Sequence, residues 1–412
     1  MQISSPRRTF PVVLAILIVI FAICVLPQPM AAQAYSQQNL VSNSSTIPAN
    51  TVDPLLVNPW GLVQGPTTPF WVSDQVTNDL TLYTGNGTPV SLIVSVPAVQ
   101  SNGPANGPTG IVFNANSACS SAAACPFALP PGQGTAPVSS LFIFDNLNGQ
   151  IDGWNPASTG GRANAVVEVN NNASGATYTG LAINASGTLL YAANFTPTGG
   201  VSAINSNWQL DTSLTFTDPN LPKGYEPYNV EDINVNGTEM VLVAYTPTQT
   251  VNINGHGIFL PDLGLGHGIV DEFTPTGTFV KELISGGDLD VPWGMAVAPS
   301  GWGTFGGDLL VGNFGNGEIN AYNSMTGAWM GTLEDAAGNP LVNGGLWSLV
   351  FGNGNGGTLT NTLYITAGIT QPLQTEGLFA AIMPTPEPAS VLLQVSGLIL
   401  LGLWAYRRRA AA

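Results

Sequence analysis

The chain has 412 residues, of which 8% are charged and 44% apolar, with 49 glycines and 32 prolines. Charged residues make up about a quarter of an ordinary soluble domain. This composition is instead turn-rich and suited to a large β core, and it excludes a helical bundle and a disordered chain. Five of the eight bases (Arg7, Arg8, Arg407, Arg408 and Arg409) lie at the two ends; Arg162, Lys223 and Lys281 face 23 acids between them, a net charge of about −20 that repels phosphate backbones and excludes nucleic-acid binding.

Residues 1–34 read as a secretory signal peptide. Arg7 and Arg8 precede an apolar run, Val12–Leu26, and Ala32-Gln33-Ala34 offers small residues for cleavage before Tyr35. The run is short for a membrane-spanning helix. An exported chain meets oxidising conditions, so the pair Cys119 and Cys125 is expected to form a disulfide; Cys24 falls in the signal. The strand-like piece QNLVSNSS, residues 38–45, is either the outer strand of a last sheet, closing a ring, or a loose leader.

From Trp60 onward one unit recurs. A short apolar strand opens on an aromatic residue or Thr, a small residue and an aliphatic. A second apolar strand follows, often ending in Asp or Asn, and then a Gly/Asn turn and a third strand. The openings are Trp60-Gly61-Leu62, Thr109-Gly110-Ile111, Thr179-Gly180-Leu181, Tyr228-Asn229-Val230, Trp293-Gly294-Met295 and Trp347-Ser348-Leu349. Their spacings of 49, 70, 49, 65 and 54 residues predict an all-β, six-bladed propeller of four-stranded antiparallel blades over residues 35–383. The central Gly is expected where inner strands crowd together. The aromatic before it is expected to wedge between blades, with ligand stacking as the alternative. Asp74, Asp145, Asn194 and Asn313 read as turn formers, with metal ligation as the alternative. The two long spacings place insertions at 114–140, carrying the cysteine pair, and 246–268, a Gly-rich loop.

The last segment, 384–412, holds Pro386-Glu387-Pro388, an apolar run Ala389–Tyr406 and Arg407-Arg408-Arg409. The run can just span a bilayer, with the arginines on the cytoplasmic side. This arrangement resembles the PEP-CTERM sorting signal. The resemblance implies an exosortase-type partner, transient membrane anchoring through the C-terminal helix, and delivery to the bacterial cell surface or outside. The openings NPWGL and VPWGM resemble those of NHL-type propellers. Residues 39–382 resemble a bacterial propeller family often found with PEP-CTERM tails. The matching pieces are NLVSN, DPLLVNPWGL, PWGMAVAPSGWGTFGGDLLVGNFGNGEINAY and GLWSLVFGNG. That family brings no assigned activity.

Chemistry-bearing residues are few. His256 and His267, each between glycines in the 246–268 loop, are either a metal or general-base site or part of a solvated loop. Glu231 and Asp232 stand where other blades carry aliphatics, so one should face the channel, as a cation site or as solvated wall. Asp145 and Asp152 are further oxygen donors, and Ca2+ is the cation such carboxylates would take; otherwise no cofactor is expected. Nucleophile-elbow, P-loop and dinucleotide motifs do not occur. The expectation is an exported, surface-sorted propeller acting as a binding or structural module of the envelope or extracellular polysaccharide matrix. The alternative is a lactonase-like, metal-dependent hydrolase or lyase with a cation in the channel.

Overall fold

Each opening tripeptide begins the innermost strand of a sheet. A computed structural model describes residues 34–97, 106–119, 121, 124–253, 256–369, 374–385 and 397. The signal peptide and the sorting residues Pro386, Glu387, Pro388, Arg407, Arg408 and Arg409 lie outside the described residues. Among the described residues no helix is long and apolar enough to cross a membrane.

The chain opens with β1 (Tyr35–Ser42) and β2 (Thr51–Val52). Blade one is β3 (Pro59–Gln64), β4 (Phe70–Asp74), β5 (Asp79–Tyr83) and β6 (Val94–Ser95). Blade two is β7 (Pro108–Phe113), β10 (Phe142–Asn146), β11 (Gln150–Trp154) and β12 (Val166–Asn170); β8 (Ala128–Leu129) and β9 (Val138–Ser139) pair within its insertion. Blade three is β13 (Tyr178–Ile183), β14 (Leu189–Asn194) and β15 (Val201–Asn205). Blade four is β16 (Tyr225–Val235), β17 (Thr238–Ile253), β19 (Ile269–Phe273) and β20 (Phe279–Ser285), with β18 (His256–Pro261) paired to β17. Blade five is β21 (Pro292–Val297), β22 (Leu309–Asn313), β23 (Ile319–Tyr322) and β24 (Trp329–Thr332). Blade six is β25 (Leu346–Phe351), β26 (Leu363–Ala367) and β27 (Leu378–Pro384), to which β1 and then β2 are added.

The fold is a six-bladed β-propeller. Its ring closes through the first strand: β1 pairs antiparallel with β27, from Tyr35↔Pro384 to Ser42↔Leu378. The Thr385 amide also donates to the Ala34 carbonyl at 2.8 Å, so the propeller runs two residues past the expected boundary at 383. Closure removes two exposed sheet edges.

Most second strands are fully dry. β4, β10, β22 and β26 are buried at every residue, because neighbouring blades cover both faces. That is why they read as continuous apolar runs and not as alternating ones. The small residue of the opening is fixed by crowding. A Cβ on Gly61 would lie 2.4 Å from the Thr109 carbonyl oxygen of the next blade.

Three expectations are corrected. Blade three has three strands: after Asn205 the chain turns, bridges once (Ile204↔Leu210), and runs irregularly to Tyr225. Blades four and six have five. The 246–268 insertion is no loose loop, since β17 extends beyond its blade and β18 folds back on it from Thr248↔Pro261 to Ile253↔His256. The predicted turn formers reach further than their turns. Asp145 Oδ1 accepts from Thr109 Oγ1 (2.7 Å) and the Gly110 amide (2.6 Å) on the innermost strand. Asp74 Oδ2 accepts from the amide (3.1 Å) and hydroxyl (2.6 Å) of Thr81 on β5.

Candidate functional site

All six inner strands run in the same direction along the axis, so their opening residues share one end of the channel. The aromatics there do not wedge between blades as expected; they converge across the axis. Trp60 of blade one stacks on Trp347 of blade six (3.5 Å between ring centroids) and meets Trp293 edge-on (6.1 Å). Trp60 also meets Tyr228 of the opposite blade edge-on at 6.3 Å. Phe195, Phe314 and Val291 complete the cluster. Its polar edges are mostly tied down. Trp347 Nε1 donates to Asn58 Oδ1 (3.0 Å), and Trp293 Nε1 donates to the Thr179 carbonyl (2.9 Å). The four large opening aromatics are 5% exposed or less, so they form a plug and offer no stacking platform. The hairpin β17–β18 lies at this end and adds Phe259, 5.0 Å from Phe195.

Beyond the plug the channel opens as a one-ended cup of about 350 Å³. Trp293, Gly61 and Gly110 are at its floor. Its walls mix aliphatic side chains with Asn229 and Ser348, with Phe113 and Phe351 towards the rim and Gln64 and Asn353 between blades one and six. Gln64 Nε2 donates to the Asn355 carbonyl (3.0 Å), and Asn353 Nδ2 donates to the Gly65 carbonyl (2.9 Å), joining the rim.

Both channel carboxylates of the sequence reading, Glu231 and Asp232, reach this cup. They are consecutive on β16, so the pleat turns them to different faces. Glu231 Oε1 accepts weakly from Asn229 Nδ2 (3.4 Å). Desolvation pushes it up to about 8, and the nearby Asp232 adds to the shift. Asp232 leans towards Glu239 and is also pushed up to about 8, first by desolvation and then by that carboxylate. Both carboxyl groups thus line the cup in a largely desolvated setting.

The other sequence candidates sit elsewhere. His267 Nδ1 lies 2.9 Å from the Asp262 carbonyl oxygen and 3.7 Å from its carboxylate, at the foot of the hairpin. His256 occupies the β18 end of the same hairpin, paired with Ile253. Cys119 and Cys125 are joined as a disulfide in the blade-two insertion. That insertion leaves β7 at its rim end and packs on blade three: Trp208 Nε1 donates to the Ala128 carbonyl (2.8 Å) and the Phe127 amide to the Ser206 carbonyl (2.8 Å). Asp145 and Asp152 are buried inside blade two, Asp152 accepting from Asn146 (3.1 Å).

No protein-family model matches the chain. Three uncharacterised proteins of Acanthamoeba polyphaga mimivirus are similar to it. The first is 30% identical over 244 residues, covering 58% of this chain and 41% of the relative. The second is 28% identical over 318 residues (75% and 72%) and the third 27% over 325 residues (77% and 79%). The chain thus spans under half the length of the first relative. Among solved structures, a protein of unknown function from Bacteroides thetaiotaomicron superposes with a TM-score of 0.50 at 10% identity, over 85% of this chain and 76% of that one; the likeness concerns the fold alone. A glucose dehydrogenase gives 0.48 at 12% identity (85% and 100%), and a virginiamycin B lyase from Staphylococcus aureus 0.45 at 11% (85% and 99%).

One group of acids escaped the sequence reading. Asp218, Asp271 and Glu282 bring one carboxylate oxygen each within 4.8 Å of one another. Asp218 lies in the irregular segment after blade three and the other two are cross-strand partners in blade four. The only hint in the sequence was polar residues inside two apolar strands.

Proposed function

We propose that the chain is an exported, surface-sorted propeller that acts as a binding module of the cell envelope or extracellular polysaccharide matrix, with the plugged cup as its ligand seat. The observation that carries this reading is the one-ended cup: apolar walls, two aromatic rings near the rim and two carboxyl groups within. Such a mixture of apolar wall and few polar groups is typical of small-ligand sites. The carboxyls of Glu231 and Asp232 can exchange hydrogen bonds with sugar hydroxyls, while Phe113 and Phe351 add apolar surface to the lining. The strongly acidic surface disfavours anionic polymers, so the ligand class is a neutral glycan. Export rests on the signal-like first 34 residues, and bacterial surface sorting by an exosortase on the Pro386-Glu387-Pro388 tail.

The test is binding of the purified protein to neutral polysaccharides, with Phe113→Ala and Glu231→Gln alongside. Retention that falls by about tenfold in either variant supports the cup, at roughly 1.4 kcal/mol per tenfold. Retention equal to wild type in both refutes it. For sorting, deletion of 384–412 should abolish surface display; unchanged display would refute that part. A hydrolase or lyase is the second reading, favoured by two neighbouring carboxyl groups that line the cup and whose pKa values desolvation raises. Turnover of a lactone or glycoside that disappears in Glu231→Gln would select it.

A further inference from the structure

We infer that Asp218, Asp271 and Glu282 form a binding site for one hard divalent cation, of the Ca2+ class, which fastens the irregular segment 206–224 to blade four. The cup and its carboxyl groups take no part in this site.

Three observations converge. First, one oxygen from each residue falls within 4.8 Å of the others. Oxygens bound to Ca2+ at about 2.4 Å are at most about 5 Å apart, so one ion can touch all three. Second, Asp271 is 0% exposed, yet neither of its carboxylate oxygens has a hydrogen-bond partner. Asp218 is 6% exposed; its Oδ1 accepts from the Asn220 amide (2.8 Å), and its Oδ2 is buried without a partner. Three oxygens on two dry carboxylates thus lack the bonds that buried polar atoms require. Third, no ion pair among the described residues brings a base to these acids, and Lys281 is engaged by Glu272 at 3.3 Å on the adjoining position.

The donor set fits Ca2+ better than Mg2+. Asp271 has both oxygens free for bidentate contact, the ligands come from three separate elements, and Glu282 is exposed, so solvent can fill the remaining positions. Mg2+ demands near-octahedral geometry and keeps more of its water. The site also has a structural task. Segment 206–224 runs where blade three lacks a fourth strand, and its Phe216 packs on Tyr191 of blade three (5.2 Å) and Phe273 of blade four (5.5 Å). A cation on Asp218 would add a polar fastening beside that aromatic one.

The experiment uses the full chain, stripped with chelator, with CaCl2 or MgCl2 as titrant at pH 7.5. Calorimetry should give one Ca2+ per chain. The melting temperature should rise with the logarithm of CaCl2 concentration above Kd. Glu282→Gln, an exposed substitution that leaves the fold intact, should weaken binding on the order of tenfold or more, because affinity follows ligand charge. Asp271→Asn should abolish binding while leaving the chelated protein as stable as wild type or more so. Glu231→Gln should leave Ca2+ binding unchanged. The inference is overturned by no heat and no melting shift up to millimolar CaCl2. It is equally overturned by binding that survives Glu282→Gln undiminished, or that is lost in Glu231→Gln instead.

Discussion

Gly294→Ala tests how the ring is packed. Gly294 follows Trp293 on β21 and faces blade six. A Cβ there would lie 2.3 Å from the Trp347 carbonyl oxygen and 2.9 Å from the Leu349 amide nitrogen. Ordinary contact begins near 3.4 Å, so the overlap is about 1 Å, and both partners are backbone that cannot rotate away. Blades five and six must therefore part. That movement loosens the edge contact between Trp293 and Trp347 (5.7 Å) and the bond from Asn229 Nδ2 to the Trp293 carbonyl (2.7 Å). Overpacking of this kind costs about 1–3 kcal/mol, and rigid partners put it at the upper end. Gly301 in the same blade is the control: no atom lies within 4 Å of its ideal Cβ and its backbone is not left-handed. Gly301→Ala should be neutral or stabilise by about 0.4–1 kcal/mol through the unfolded chain. Urea unfolding followed by tryptophan fluorescence should separate the two variants by about 1 M in midpoint, taking about 3 kcal/mol and a slope near 3 kcal/mol/M. Coincident midpoints would refute the inter-blade crowding argument.

Other outcomes follow from the same structure. Deleting residues 34–42 removes Tyr35, Leu40 and Val41 from the core and bares the edge of β27. At about 1.5–3 kcal/mol per side chain this approaches the whole stability of a domain. The truncated chain should be insoluble, and a monomeric, cooperatively melting product on size exclusion would contradict ring closure. Stability should fall from pH 5 to pH 8.5 in chelator. Desolvation raises Asp145 to about 7 and Glu231 and Asp271 to about 8, so between about pH 4 and 8 the folded chain holds protons that the unfolded chain has released. A melting temperature that is flat or rises over that range would count against these assignments, and Asp145→Asn should flatten the slope. Replacing Cys119 and Cys125 by serine opens a loop with a sequence separation of 6. The chain-entropy argument gives a loss of about 2 kcal/mol, read by chemical denaturation with and without reductant.

The propeller was legible because its determinants are local. A strand covered on both faces must be apolar throughout, and a Cβ at Gly61 would lie 2.4 Å from the next blade's carbonyl oxygen; four of the six openings place Gly at that position. The closing strand was legible as one of two readings of residues 38–45, although it starts three residues earlier, at Tyr35, and ends at Ser42. Glu231 and Asp232 could be singled out because they interrupt an aliphatic pattern at a known position on an inner strand. What escaped depends on distance through space. Trp60, Tyr228, Trp293 and Trp347 look alike whether they wedge between blades or meet on the axis; the radius of the closed ring decides, and it brings opposite blades to 6.3 Å. The 246–268 insertion carries glycines that suggested a loop, but pairing with the long β17 makes it a hairpin, and Phe259 anchors it to the plug. Asp218 is far in sequence from Asp271 and Glu282; strand pairing sets the latter two side by side, and Asp218 reaches them from a segment whose Phe216 packs on Phe273. The sequence by itself thus determined the number of blades and their inner faces, through steric and hydrophobic rules that act within one blade. The tertiary structure alone decided which end of the channel is sealed and where acids gather, because those depend on residues from different blades meeting in a closed ring.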